Sequence, residues 1–194
     1  FAAIAAPDVA IVTRIEAEHL EFLRDIETVA HEEGTIIAAL TASGTAVLNA
    51  DDPRVLAMAH RTTARVVTYG TVARDDLRTH TFSTDVRSLG VDGVKFRLWH
   101  DGHSELVQLP LAGRHFVSNA LAAAAAGFAV GCSWTTVLSG LQDKPTAPRV
   151  RVIRPSSGML VIDDSYNASP ASCFAALDLL ADSPGTRDRK STRL

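Results

Sequence analysis

Residues 45–70 read TAVLNADDPRVLAMAHRTTARVVTYG, and this stretch decides the fold. TAVLN (45–49) and ARVVTYG (64–70) are apolar runs of strand length, and Asp51, Asp52 and Pro53 open a helix between them that runs to about His60. Proline at the first helical position has a preset φ and no donor to lose. Strand, helix and strand in short alternation argue for a parallel sheet. Upstream, DVAIVT (8–13) is a further buried strand, flanked by Pro7 and by the charged cluster from Arg14 to Glu21. Ile26, Val29, Ile36, Ile37 and Leu40 recur near helical spacing, which predicts a helix over 25–41 with Asp25 as its N-cap and Gly44 beyond its end.

After Gly70 the pattern changes. Residues 78–110 alternate strands with Asp-Gly turn signals at Asp92-Gly93 and Asp101-Gly102, and VKFRLWH (94–100) alternates with period two. An antiparallel excursion is expected, a small sheet of hairpins beside the parallel one. An alanine-rich helix over about 117–130 ends at Gly131, and a shorter helix follows over about 134–141. The proline-bounded stretch Lys144 to Pro148 marks the domain boundary. Beyond it come a strand (150–154), a turn at Ser156-Ser157-Gly158, a strongly apolar strand MLVID (159–163), and a helix from 170 to about 181 with Ser169 as N-cap. The polar segment 182–194 has no periodicity and is expected to be a disordered or foreign tail.

With 194 residues, 46% hydrophobic and 21% charged, the chain suits one domain or one domain plus part of another, and is no disordered or low-complexity protein. No apolar run reaches the roughly 18–20 residues of a membrane span. Phe1 is not followed by the basic stretch of a signal peptide, so a cytoplasmic chain is expected. A net charge of −3 without a basic stripe argues against nucleic acid as a partner. Cys132 and Cys173 lack metal or redox spacing and read as two inert thiols. Arg61, Arg65, Arg74 and Arg78 lie among acids as a solvated surface, and His31, His60, His80, His100 and His103 are expected at the surface or in turns.

Three segments could carry chemistry. IEAEHLE (15–21) follows a strand, where open α/β sheets bind ligands; His19 with Glu16, Glu18 and Glu21 is either an acid or metal cluster or an acid-rich helix start. GRHFVSN (113–119) enters the alanine-rich helix, where His115 could stack on a ring and Asn119 could bond a base, or both could serve only as caps. DDSYNASP (163–170) is either a ligand-facing strand end or an Asx-type turn with an N-cap. Neither GxxxxGK[ST] nor GxGxxG occurs, so the chain lacks a phosphate-cradling glycine loop.

Together these segments, in this order, resemble the Mur ligase family over roughly residues 4–181. TRIEAEHLE (13–21) is similar to the family's T-N-I-G-x-A-H-L-E, VLNADDP (47–53) to its N-x-D-D-P, and LAGRHFVSNALAAAAA (111–126) to its G-x-H-N-x-x-N-x-x-A-A. Pro148-Arg149 stands where the family has Gly-Arg. VIDDSYNASPAS (161–172) resembles D-D-S-Y-N-A-N-P-x-S, the most specific of these motifs, and points to the branch that adds the terminal dipeptide of the cell-wall precursor. Folylpolyglutamate synthase shares the fold and the strand-then-histidine segment, but DDSYNASP speaks against it. A non-catalytic Mur-like binding or regulatory protein is the other alternative.

The resemblance implies an α/β fold: the mostly parallel sheet of a P-loop-type central domain over 1–145, with its leading P-loop part absent, and the start of a Rossmann-like C-terminal domain over 146–181. It implies an ATP-dependent amide ligase using Mg²⁺, which would join D-Ala-D-Ala to UDP-MurNAc-tripeptide through an acyl phosphate, as a cytoplasmic monomer. This chain alone would be inactive. His19, Glu33 and Arg149 would be catalytic, with His19 and Glu33 on the metal side. His115 and Asn119 would hold adenine; Arg149 and Asp164 would meet the nucleotide at a domain interface, with Tyr166 and Asn167 lining the cleft. Several positions depart from the family pattern: Arg14 replaces its Asn, Glu16 its Gly, Glu18 a small residue and Phe116 an Asn. Glu33 falls where the family has a carbamylated lysine, and would supply the carbamate's charge with shorter reach.

Overall fold

The structure is a computed structural model that describes residues 2–17, 23–74, 76–77, 80–143, 150–166 and 169–189. After a short helix, α1 (Ala2–Ala5), strands β1 (Val9–Val12), β2 (Thr45–Asn49), β3 (Arg65–Gly70) and β4 (His80–Ser88) pair in parallel and in chain order. Strands β5 (Val94–His100) and β6 (His103–Leu109) then pair antiparallel, giving one six-stranded sheet, β1-β2-β3-β4-β5-β6. The hairpin strands thus extend the parallel sheet itself instead of packing beside it. Asp101 and Gly102 both take positive φ, as a two-residue hairpin of this twist requires. At Gly93 (φ 120°) a Cβ would overlap the Leu109 carbonyl, so only glycine lets β5 start against β6.

Every residue of β2 is buried, because both faces of the sheet are covered. On one face Ala46 and Leu48 join Ala10, Val12, Val29, Ile37, Val55 and Met58, which come from β1, α2 (Ile26–Glu33), α3 (Thr35–Ala38), α4 (Pro53–Ala57) and the 3-10 turn Met58–Arg61. On the other face Val47, Val67, Phe96, Leu98 and Val107 pack under α5 (Phe116–Ala129), whose Ala120, Ala124 and Ala125 allow close approach. Helix α6 (Trp134–Gln142) completes that layer through Val137 and Leu141.

The expected helix over 25–41 is broken at Gly34 into α2 and α3. The Arg61 guanidinium occupies the space a Cβ would need there, and donates to the His31 carbonyl at 3.0 Å. Two histidines expected at the surface are instead buried. His80 on β4 lies between the Thr68 hydroxyl and the Val72 carbonyl, and His100 on β5 contacts the Thr81 hydroxyl and stacks on Phe128, 4.0 Å between centroids. Each ring satisfies its nitrogens locally, which makes its burial tolerable.

Strands β7 (Arg151–Ile153) and β8 (Val161–Asp163) form a separate antiparallel pair, followed by α7 (Pro170–Asp182). MLVID is less of a strand than its composition predicts: only Val161–Asp163 pairs, and Met159 is 62% exposed. Ser169 and Ser172 make a reciprocal capping box at the start of α7. Asp182 is the last helical residue and not the first of a tail, and Arg187 folds back to donate to the Leu180, Ala181 and Ser183 carbonyls. This unit rests on the first through a small core of Ala112, Val150 and Leu179 with Phe116, Val152 and Ile162, and through the ion pairs Arg114–Asp182 (3.1 Å) and Arg154–Asp92 (3.0 Å). Among the described residues no helix is long and apolar enough to cross a membrane.

Candidate functional site

The loops after β1, β2 and β3 leave the sheet at one edge, the carboxyl ends of the parallel strands, where open α/β sheets bind ligands. Four residues in a row, Asn49-Ala50-Asp51-Asp52, bind these loops to one another. Asn49 is buried and donates from Nδ2 to the Thr13 carbonyl at 2.7 Å, while its Oδ1 accepts the Asp51 N–H. Asp51 Oδ2 accepts from both the backbone N–H and the hydroxyl of Thr71, at 2.8 and 2.9 Å. Gly70 permits that approach, since a Cβ there would come within 2.7 Å of Asp51 Oδ1. Asp52 divides its carboxylate: Oδ1 caps α4 through the Arg54 and Val55 N–H groups, and Oδ2 accepts the Ile15 N–H at 2.9 Å. Tyr69 is fully buried beneath this rim, its hydroxyl directed at the Thr13 carbonyl. Burial, reinforced by the charge of Asp51, pushes the phenol's pKa well up, so Tyr69 stays protonated as a donor.

In the sequence this tetrapeptide marks the end of a strand and the start of a helix, within the stretch VLNADDP that resembles the family's N-x-D-D-P. The signal of a further role was present: a buried strand that ends on Asn and is followed by two aspartates presents more polar atoms than a helix cap consumes. The same edge continues to β4 through His80, whose ring reaches the Val72 carbonyl at 2.9 Å. A carbonyl only accepts, so in the neutral ring Nε2 carries the proton and Nδ1 accepts from Thr68.

Of the residues expected to carry function, His19, Arg149 and Asn167 lie outside the described residues. Asn119 is exposed in the first turn of α5. His115 immediately precedes α5, makes no side-chain cap bond, and lies with its ring 4.2 Å from that of Phe116. His115 is exposed over part of its surface, yet partial desolvation of the ring holds its pKa below the ordinary 6.5, and the charge of Asp164 opposes that shift. Phe116, next to His115, packs in the same small core as Val152 and Ile162 of the second unit. In the same segment Asp163 accepts the Ser165 N–H at 3.1 Å, an Asx-type turn, and Tyr166 is 76% exposed.

Glu33 is exposed at the last position of α2, roughly 12 Å of helical rise from Asp25 and beside the end that Arg61 caps. A hard divalent cation takes several oxygen ligands, yet at the strand ends Asp51 and Asp52 are both engaged with N–H groups. Among the described residues no three His, Cys, Asp or Glu side chains converge on one point. The described residues therefore do not by themselves make up a magnesium site.

The model of the Mur ligase middle domain matches residues 1–127. The UDP-N-acetylmuramoyl-tripeptide–D-alanyl-D-alanine ligase of Mycobacterium tuberculosis is 38% identical over 186 residues, covering 93% of this chain and 35% of that protein. The ligase of the same name from Escherichia coli K12 is 34% identical over 187 residues, covering 95% and 40%. A crystal structure of MurF from Acinetobacter baumannii superposes with a TM-score of 0.85 at 27% identity, over 95% of this chain and 39% of that one. The MurF ligase of Thermotoga maritima, solved in complex with ADP, gives 0.79 at 25% identity, over 94% and 41%. The chain thus spans about 35–40% of the length of the curated relatives it matches.

Proposed function

The chain belongs to the Mur ligase family, and on that premise we propose that it forms the nucleotide-facing part of an ATP-dependent ligase joining D-Ala-D-Ala to UDP-MurNAc-tripeptide. The observation that carries this reading is the 34–38% identity to ligases of that name along nearly the whole chain, DDSYNASP included. The rim of loops at the strand ends is its structural support.

In the proposed reaction the substrate's terminal carboxylate attacks the γ-phosphorus of ATP, and ADP leaves. The amine of D-Ala-D-Ala adds to the acyl phosphate, and the tetrahedral intermediate expels phosphate as the amide forms. His115, neutral at pH 7 because burial lowers its pKa, offers a flat ring to the adenine, and Asn119 offers its amide to the base edge. Asp164, Arg149, Tyr166 and Asn167 are the proposed nucleotide-facing residues of the second unit, assigned from their motifs. His19 and Glu33 are the proposed metal-side residues, from the sequence alone. With Glu33 in the place of a carbamate, bicarbonate depletion leaves the rate unchanged; loss of activity and its rescue by bicarbonate would overturn that assignment. The enzyme is proposed to work in the cytoplasm as a monomer.

The test is the full-length protein of the gene, supplied with UDP-MurNAc-tripeptide, D-Ala-D-Ala and ATP, with products read by mass spectrometry. UDP-MurNAc-pentapeptide and stoichiometric ADP are expected, together with a G-x-x-G-K-[ST] motif encoded upstream of Phe1. Absence of turnover, or glutamate added to a folate instead, would sink the proposal. Residues 1–194 alone are expected to give no ligation.

A further inference from the structure

We propose that Asp52 is a positioning residue for the ligand-facing rim, holding the loop after β1 in register with α4 by means of the carboxylate oxygen that its cap does not need. The inference rests on the ligase reading and adds a residue to it. An N-cap requires one acceptor, and Ser, Thr or Asn supply it as well as Asp. At Asp52 that work is done by Oδ1, 2.9 Å from the Arg54 nitrogen and 3.3 Å from that of Val55. Oδ2 reaches instead across 37 residues of sequence to the Ile15 N–H, at 2.9 Å. A carboxylate receiving a backbone N–H makes a charge-assisted bond, stronger than the neutral equivalent.

Asn49 grips the same loop from the other side. Its amide holds the Thr13 carbonyl at 2.7 Å, so residues 13 and 15 are both pinned to the end of β2 and the backbone between them is fixed at two points. Ile15 is itself buried against the core of that face, which anchors the loop's inner side. Asp51 does for the loop after β3, through Thr71, what Asp52 does for the loop after β1. Asp52 is the member of this set whose two functions separate cleanly, because each oxygen serves a different element. Misplacing a reacting group by about 1 Å from a distant site costs on the order of 100-fold in rate, so the tether, more than the cap, is expected to govern turnover.

Asp52→Ser keeps a cap oxygen for α4 but cannot reach Ile15. Asp52→Asn keeps both the length and the cap, but turns a donor toward the Ile15 N–H. In the full-length ligase each variant is expected to lose about 10-fold or more in kcat, with KM for D-Ala-D-Ala within about threefold of wild type. The thermal midpoint should fall no further than in Ser133→Ala, which removes the N-cap of α6 and leaves kcat unchanged. In residues 1–194 alone, hydrogen exchange at the Ile15 amide should accelerate in both variants while Val47 keeps its protection. A kcat within twofold of wild type, or one reduced only in proportion to the folded fraction, overturns the proposal. Failure of the wild-type enzyme to ligate overturns the ligase reading instead, and the exchange of Ile15 still reports whether the tether exists. Should Asp52→Ser not fold, Asp52→Asn answers the same question.

Discussion

Two segments of this chain carry the same pattern, an apolar strand followed by paired aspartates: TAVLNADDP at the end of β2 and MLVIDDSYN at the end of β8. In the first, the strand is buried on both faces and the aspartates are bound to backbone N–H groups of two other loops. In the second, β8 is only half-buried in a two-stranded sheet, Asp163 bonds no farther than Ser165, and the charge of Asp164 is felt by His115 of the other unit. The pattern says that polar groups will stand at a strand's end. Whether they hold the fold together or stay available to a ligand depends on how many neighbouring strands deliver loops to that edge. Beside β2 there are two, and beside β8 only the antiparallel β7, which ends at the opposite edge.

The sharpest test of the comparison is deletion of one apolar side chain in each strand. Leu48→Ala, in a fully buried site, is expected to cost about 2–5 kcal/mol in denaturant unfolding, and Ile162→Ala, half-buried, less than about 1.5 kcal/mol. Equal losses would mean that the two strands are equally enclosed. Next in size is the cap of the second unit. Ser169→Ala removes the acceptor of the Ser172 N–H and should lower the stability of α7 by about 1 kcal/mol, read as faster amide exchange through its first turn.

A smaller effect is expected where the units meet. Arg114 is largely exposed, so Arg114→Ala should cost about 0.5 kcal/mol or less, and that loss should shrink in 1 M salt. The carboxyl of Asp182 is held below its ordinary 3.8 by hydrogen bonds from Ser88 and Arg114. A folded pKa below the unfolded one stabilises above the ordinary value, so this contribution is present at neutral pH and is lost as pH falls below about 4 through the folded value.

The finest test concerns His115. Burial disfavours its charged form, so it should titrate below 6.5 in an NMR experiment, and the folded state should lose stability as pH falls through that window, since the unfolded chain then binds the proton more readily. Asp164→Asn removes the charge that opposes burial and should move the titration lower still. An unmoved midpoint would show that the charge of Asp164 does not reach His115.

Much of this was legible beforehand because it depends on short-range chemistry. Pro53 after two aspartates, Ser169 before Pro170, and Asp101-Gly102 between alternating runs each state a local backbone geometry, and the helix or hairpin follows at the expected place. The burial of His80 and His100 was not legible, because it depends on Thr68, Val72, Thr81 and Phe128, which reach them from other elements. Nor was the break at Gly34, which answers to an arginine 27 positions later. Among the candidate site residues, the motifs singled out His115 and Asp164, and only the tertiary structure shows Phe116, next to His115, packed with Val152 and Ile162.

What the sequence determines by itself is the alternation of elements, their caps and turns, and through its motifs the family, since these rest on residues a few positions apart. The tertiary structure alone decided that the hairpin joins the parallel sheet and that Asn49, Asp51 and Asp52 tie three loops into one rim. Those outcomes require groups 20 to 40 residues apart to meet within hydrogen-bonding distance, as Ile15 and Asp52 do across 37, and only the packed sheet brings them there.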